Sequence, residues 1–181
     1  PQSIHPVRAW GWDLARKMDW VAGVGLDGAG AVSQLERWHK RPWHETQTRI
    51  IDTTNAFGLI DGTGVGDPVV EALQRARAPV EGVVWTAPVK QSLMERLAHV
   101  IQARQIAILD GPMRAELESY EYEYTRTGVT YSAPAGYHDD IVCGLALAVA
   151  ALDRVGWGSP AGRQIPVPTP ARDARTRGVV R

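Results

Sequence analysis

Apolar and polar residues alternate from Val7 to Leu14 with Trp10 and Trp12 on one face, a period of two that predicts a strand. Trp20 to Leu26 predicts a second strand, and Asp27-Gly28 with Gly30 a hairpin turn into a third, Ala31 to Trp38. Pro42 then breaks the chain, and the periodicity through Ile50 and Ile51 predicts a helix over His44 to Asn55, with Gly58 following as a stop. Phe57 to Ile60 reads as a short strand ending in Asp61. Asp67-Pro68 reads as the N-cap and first residue of a helix reaching about Arg77. Beyond Pro79, Val80 to Trp85 predicts a strand. Val89, Leu93, Leu97 and Ile101, spaced by four, mark a long amphipathic helix. Gln105 to Leu109 is expected as a short strand, Arg114 to Tyr120 as a helix, and Glu121 to Ser132 as a hairpin turning at Thr127-Gly128. The unbroken apolar run Ile141 to Leu152 belongs to a last helix, expected from His138 to about Val155.

This order implies an α/β domain with a mixed sheet, antiparallel strands first and parallel ones added through crossover helices. Residues 1–157 suit one domain. Residues 158–181 are rich in Gly, Pro and Arg and are expected to form a disordered, mildly basic tail. The first strand begins almost at Pro1, which suggests a piece of something larger. No segment reaches the roughly 18 apolar residues of a membrane span. The single cysteine, Cys143, excludes an internal disulfide framework and a Cys-rich zinc site.

Charge narrows the picture further. Twenty basic residues balance 20 acidic ones, whereas a protein that holds nucleic acid by electrostatics alone carries a basic excess. Any binding of DNA is therefore expected to be weak, or to depend on an attached partner. Seventeen of the basic residues are Arg, a bias that GC-rich coding or a hot habitat produces as readily as phosphate recognition.

The candidate chemistry lies in the acidic residues. Asp13 and Asp61 end predicted strands, and His138-Asp139-Asp140 opens the last helix. Carboxylates gathered in a fold repel one another unless cations separate them; two Mg²⁺ ions and phosphodiester hydrolysis are the usual outcome. Each has a plainer explanation. A lone Asp often just ends a strand, and Asp139 and Asp140 alone would be helix caps worth ~1 kcal/mol. The glycines of Gly62 to Gly66 could be a phosphate loop, but GxGxG lacks both the GxGxxG spacing and a Gly-Lys-Ser/Thr. Asp67 reads as a cap, and Asp19, Asp52 and Asp110 as turn or surface residues. Trp12, Trp20, Trp38 and Trp43 read as packing.

Several segments, taken in order, carry a resemblance. They are Trp12-Asp13-Leu14-Ala15, Arg37-Trp38-His39-Lys40-Arg41-Pro42-Trp43, Ile60-Asp61-Gly62-Thr63-Gly64-Val65-Gly66-Asp67, Lys90, Ala115-Glu116-Leu117-Glu118 and Gly136-Tyr137-His138-Asp139-Asp140-Ile141-Val142. Together, over about Val7 to Val155, they resemble the nuclease domain of the large terminase subunit of tailed bacteriophages. The resemblance implies a ribonuclease H-like fold, a mixed sheet flanked by helices, with an added hairpin in the C-terminal half. It implies a hydrolase that cuts double-stranded DNA with two Mg²⁺ or Mn²⁺ ions. Asp13 would bridge both ions and Asp61 would be the second ligand; one of Asp139 and Asp140 would ligate directly and the other hold water or the second ion. His138 would be a further ligand, a proton shuttle or a phosphate contact. Many relatives carry another Asp three residues after Asp140, where this chain has Cys143. Lys90, Lys17, Arg37, Lys40 and Arg41 are candidate DNA contacts; simple solubility is the alternative for each. No P-loop is present, so an ATPase motor domain missing from this chain is implied, with portal protein and small terminase subunit as partners in the host-cell cytoplasm. Two rivals stand beside this reading: another ribonuclease H-like nuclease such as a Holliday-junction resolvase, and a non-catalytic nucleotide-binding or packaging scaffold.

Overall fold

A computed structural model of the chain describes residues 2–14, 20–63, 67–125, 128–132, 134 and 138–158. Lys17, Asp19, Gly64 to Gly66, Thr127 of the hairpin turn, Gly136-Tyr137 and the tail beyond Gly158 lie outside the described residues. The strands β1 (Ala9–Asp13), β2 (Trp20–Leu26) and β3 (Val32–His39) pair antiparallel, β1 with β2 and β2 with β3. Helix α1 (Trp43–Thr53) leads to β4 (Gly58–Asp61), which pairs parallel with β1; α2 (Asp67–Arg75) leads to β5 (Val80–Val83), parallel with β4. The sheet thus has five strands in the order β3-β2-β1-β4-β5. Helices α3 (Ala87–Gln102) and α4 (Pro112–Ser119) follow, then the separate hairpin β6 (Glu121–Thr125) and β7 (Gly128–Ser132), and finally α5 (Asp140–Val155). This is the expected ribonuclease H-like mixed sheet with an added hairpin.

Strand periodicity divides the core into two halves. Trp10 and Trp12 point to one face, stacked with centroids 5.2 Å apart, and pack with Trp38, Ile50, Ile60 and Leu73 beneath α1 and α2. Trp12 Nε1 donates to Thr54 Oγ1 at 3.0 Å, so the buried indole N–H is satisfied. Ala9, Ala22, Val24 and Leu59 point to the other face, where almost every residue of α5 from Ile141 to Leu152 is buried against them. A helix apolar on all sides fits only there, covered by α3 and α4.

Gly11 sets how closely that helix approaches. A Cβ at this position would overlap Gly144 O and Ala148 N, so α5 rides directly on the backbone of the central strand. Its direction follows from its ends. Arg8 Nη2, before β1, donates to Val155 O at 3.1 Å, so α5 runs antiparallel to β1 and its first turn overhangs Asp13.

Two expectations need correction. Gln105 to Leu109 forms no strand; only Ala107 pairs, in an isolated parallel bridge with Ala31. Left-handed backbone at Arg104 (φ 54°) and Gly111 (φ 89°) turns the chain on either side, leaving too short a straight run for a ladder. The last helix starts at Asp140, not His138, because Asp139 has the non-helical φ −130°, ψ 10° of a capping position.

Candidate metal centre

The period of two in β1 and β4 decides where the acidic residues fall. Asp13 shares the α5 side of the sheet with Ala9 and Gly11, and Asp61 shares it with Leu59. The strands are parallel neighbours with Trp12 opposite Ile60, so both carboxylates emerge at the same strand ends. The head of α5 brings Asp139 and Asp140 to that place. Asp13, partly exposed but densely surrounded, has its pKa raised well above the usual carboxylate range. Burial is the largest cause, followed by the charges of Asp61, Asp140 and Asp139; Lys90 acts in the opposite sense. The charges of the other three predicted carboxylates therefore all act on Asp13.

Each is held differently. Asp61 Oδ1 accepts the Thr63 N–H at 2.7 Å in a turn closing β4, and Thr63 Oγ1 accepts the Trp85 N–H at 2.6 Å. Asp139 lies 3.6 Å from Lys90 Nζ, which also sits 5.7 Å from the Trp85 ring centroid. Lys90 belongs to the first turn of α3, whose N-cap Thr86 accepts from Val89 N at 3.4 Å. Asp140 is buried and its pKa is pushed up to about 6, first by burial and then by Glu116 and Asp139. His138 Nδ1 lies 3.7 Å from Asp140 Oδ2, with the imidazole half exposed. Cys143 is buried close enough for the Asp13 charge to help raise its thiol pKa, though burial is the larger cause. That thiol is neutral and serves packing.

The donor set suits a hard divalent cation. Asp140 Oδ2 is buried and accepts no hydrogen bond from the described residues, an orphaned acceptor of the kind a cation satisfies. Among the described residues no three His, Cys, Asp or Glu side chains stand close enough together to hold a metal ion as they are. Like charges hold carboxylates apart, and cations between them would draw them in.

The other predicted cations separate. Arg37 lies against Glu116, its Nη2 2.7 Å from Oε1, with its guanidinium 4.4 Å from the Trp20 ring centroid. Arg41 is exposed and ion-paired to Glu45 at 3.2 Å; Lys40 is exposed, in a left-handed conformation at φ 54°. Of the aspartates read as turn or surface residues, Asp110 pairs with Arg114 at 2.8 Å and Asp52 is exposed on α1.

Glu116 was not singled out from the sequence as a site residue. It is buried in α4, and its Oε2 accepts the Ile141 N–H at 2.9 Å, capping α5 from another element. The signal was present: in a short helix, Glu116 falls on the same face as the buried Met113.

Residues 10–152 match the family model described as the terminase RNaseH-like domain. The chain belongs to this terminase family. Solved structures similar to the terminase domain described here include the large terminase nuclease from thermophilic phage G20c with bound magnesium, 27% identical with a TM-score of 0.74, covering 82% of this chain and 83% of that one. The same nuclease with bound cobalt is 28% identical, TM-score 0.71, with 80% of each chain covered. The large terminase nuclease domain of Thermus phage P74-26 is 26% identical, TM-score 0.70, covering 78% of this chain and 77% of its own. No curated protein matches the chain. No helix among the described residues of the terminase domain is long and apolar enough to cross a membrane.

Proposed function

We propose that this chain is the metal-dependent endonuclease domain of a viral DNA-packaging terminase, hydrolysing phosphodiester bonds of double-stranded DNA with little sequence specificity. What supports this reading is that Asp13 and Asp61 end neighbouring parallel strands, with the charges of Asp61, Asp139 and Asp140 acting on Asp13, in a member of a family whose solved neighbours are nucleases with divalent metals. Asp13, Asp61 and one or both of Asp139 and Asp140 would hold two Mg²⁺ or Mn²⁺ ions. When bound, such ions activate the attacking water and stabilise the leaving 3′-oxygen of an in-line displacement.

The chain's own groups supply the rest. Lys90, beside Asp139 and partly exposed, offsets part of the anionic charge and can pair with an incoming phosphate. His138, half exposed beside Asp140, is placed to hold or hand over a proton at the pocket's rim. Zero net charge leaves little non-specific affinity. A tethered ATPase motor domain, with portal protein and small terminase subunit, would hold the duplex near the pocket at high effective concentration in the host-cell cytoplasm.

The test is nicking of supercoiled plasmid by the purified chain, with linear duplex and a four-way junction in parallel. Cleavage of plasmid and linear duplex with Mg²⁺ or Mn²⁺, and none in EDTA, is expected. Undiminished cutting in EDTA would contradict metal dependence, and cutting of the junction alone would point to a resolvase.

A further inference from the structure

The head of α5 poses a local problem that the metal reading makes informative. The first N–H groups of a helix lack intrahelical partners, and Ser, Thr, Asn or Asp at the cap normally satisfies one of them. Asp139 holds that position and makes no side-chain capping bond. Asp140, in the first turn, keeps a buried Oδ2 without a hydrogen bond among the described residues. The acceptor comes instead from α4, where Glu116 Oε2 takes the Ile141 N–H at 2.9 Å inside the protein.

A carboxylate buried in this way is costly unless it is compensated. Arg37, from β3, lies 2.7 Å from the other oxygen, Glu116 Oε1. The Arg37 guanidinium is packed on Trp20 of β2, 4.4 Å from the ring centroid. Oε1 is thus ion-paired to Arg37 without a hydrogen bond among the described residues, and the capping bond belongs to Oε2 alone. The tie joins α4, α5 and the β2–β3 ribbon directly behind Asp139 and Asp140.

We infer that Glu116 is a positioning residue: by capping Ile141 from outside the helix, it leaves the Asp139 and Asp140 carboxylates uncommitted to the helix head and available to cations. This rests on the proposed metal site. Without an acceptor at position 116, the Ile141 N–H would be buried and unpaired, and the nearest replacements are those two aspartates. A carboxylate oxygen turned inward to cap the helix is withdrawn from the cation. Glu116 therefore sets metal affinity through a hydrogen bond, and a neutral acceptor should serve as well as a charged one.

The test compares two double variants that both remove the ion pair and differ in the acceptor, Arg37→Met with Glu116→Gln and Arg37→Met with Glu116→Met. Mn²⁺ binding to the DNA-free protein is measured by calorimetry, with circular dichroism confirming folding. The glutamine pair is expected to stay within about threefold of the unmodified affinity and the methionine pair to lose about tenfold or more, the range for groups that orient metal ligands. If the methionine pair does not fold, Glu116→Ser, too short to reach Ile141, replaces Glu116→Met in the same comparison. Equal Mn²⁺ affinities in the two variants, with normal binding by the unmodified chain, would overturn this inference alone. Failure of the unmodified chain to bind Mn²⁺ would remove the metal site itself, and this inference with it.

Discussion

Asp13→Asn is expected to abolish Mn²⁺-dependent cleavage while making the metal-free protein more stable. An amide has nearly the shape of the carboxylate and none of its charge. Loss of the proposed metal ligand should cost about 4 kcal/mol of barrier lowering, a rate drop on the order of a thousandfold. Stability moves the other way because the ionised Asp13 is disfavoured by burial and by Asp61, Asp140 and Asp139. The sign follows from linkage. A carboxyl whose pKa is higher folded than unfolded contributes stability that is complete below the unfolded pKa and is lost as pH rises through the folded one. For Asp140 that window runs from the ordinary 3.8 to about 6, and Asp13 shifts in the same direction. The metal-free protein should therefore melt at a lower temperature at pH 7 than at pH 4.5. Asp13→Asn should melt higher than the unmodified chain at pH 7 and depend less on pH. A variant that melts lower at pH 7, or that still cuts plasmid, would count against the shared anionic pocket.

Gly11→Ala is expected to be the most damaging single methyl group in the chain. Its Cβ would collide with backbone atoms, Gly144 O and Ala148 N, which no rotamer change can move aside. Pushing α5 off β1 opens the larger of the two cores, and a loss of about 3 kcal/mol or more is expected in urea denaturation. Gly144→Ala is the control. Its Cβ would meet Ala22 O, Gly11 O and a Val24 methyl at 3.4 Å, an ordinary contact, and alanine favours the helix by about 1 kcal/mol, so the net change should be small. Any Gly11→Ala protein that still folds should cleave less than its folded fraction predicts, because displacing α5 moves Asp139 and Asp140 away from Asp13. Equal stability of the two variants would show that α5 does not ride on the strand as described.

Where local pattern and tertiary packing agreed, the sequence was legible. Trp20 to Leu26 reads as a strand from its own residues and forms one, and the all-apolar stretch after Asp140 can only be a covered helix. Gln105 to Leu109 was misread because strand formation depends on a partner, and the turns at Arg104 and Gly111 leave contact at one residue only. The start of the last helix was misplaced for a related reason. Two aspartates beside an apolar run look like caps, yet the cap is Glu116, more than twenty residues earlier in the chain. Strand ends and helix heads are visible in one dimension, so Asp13, Asp61, Asp139 and Asp140 could be named. Arg37 could be named only as a cation, because its commitment to Glu116 and Trp20 is made by the fold.

The most direct measurement is anomalous scattering from crystals of this chain soaked in Mn²⁺. Peaks bonded by an Asp13 oxygen together with Asp61, Asp139 or Asp140 are predicted. Mn²⁺ found only elsewhere at saturating concentration, with Asp13 bound to none, would contradict a cation site built from these aspartates.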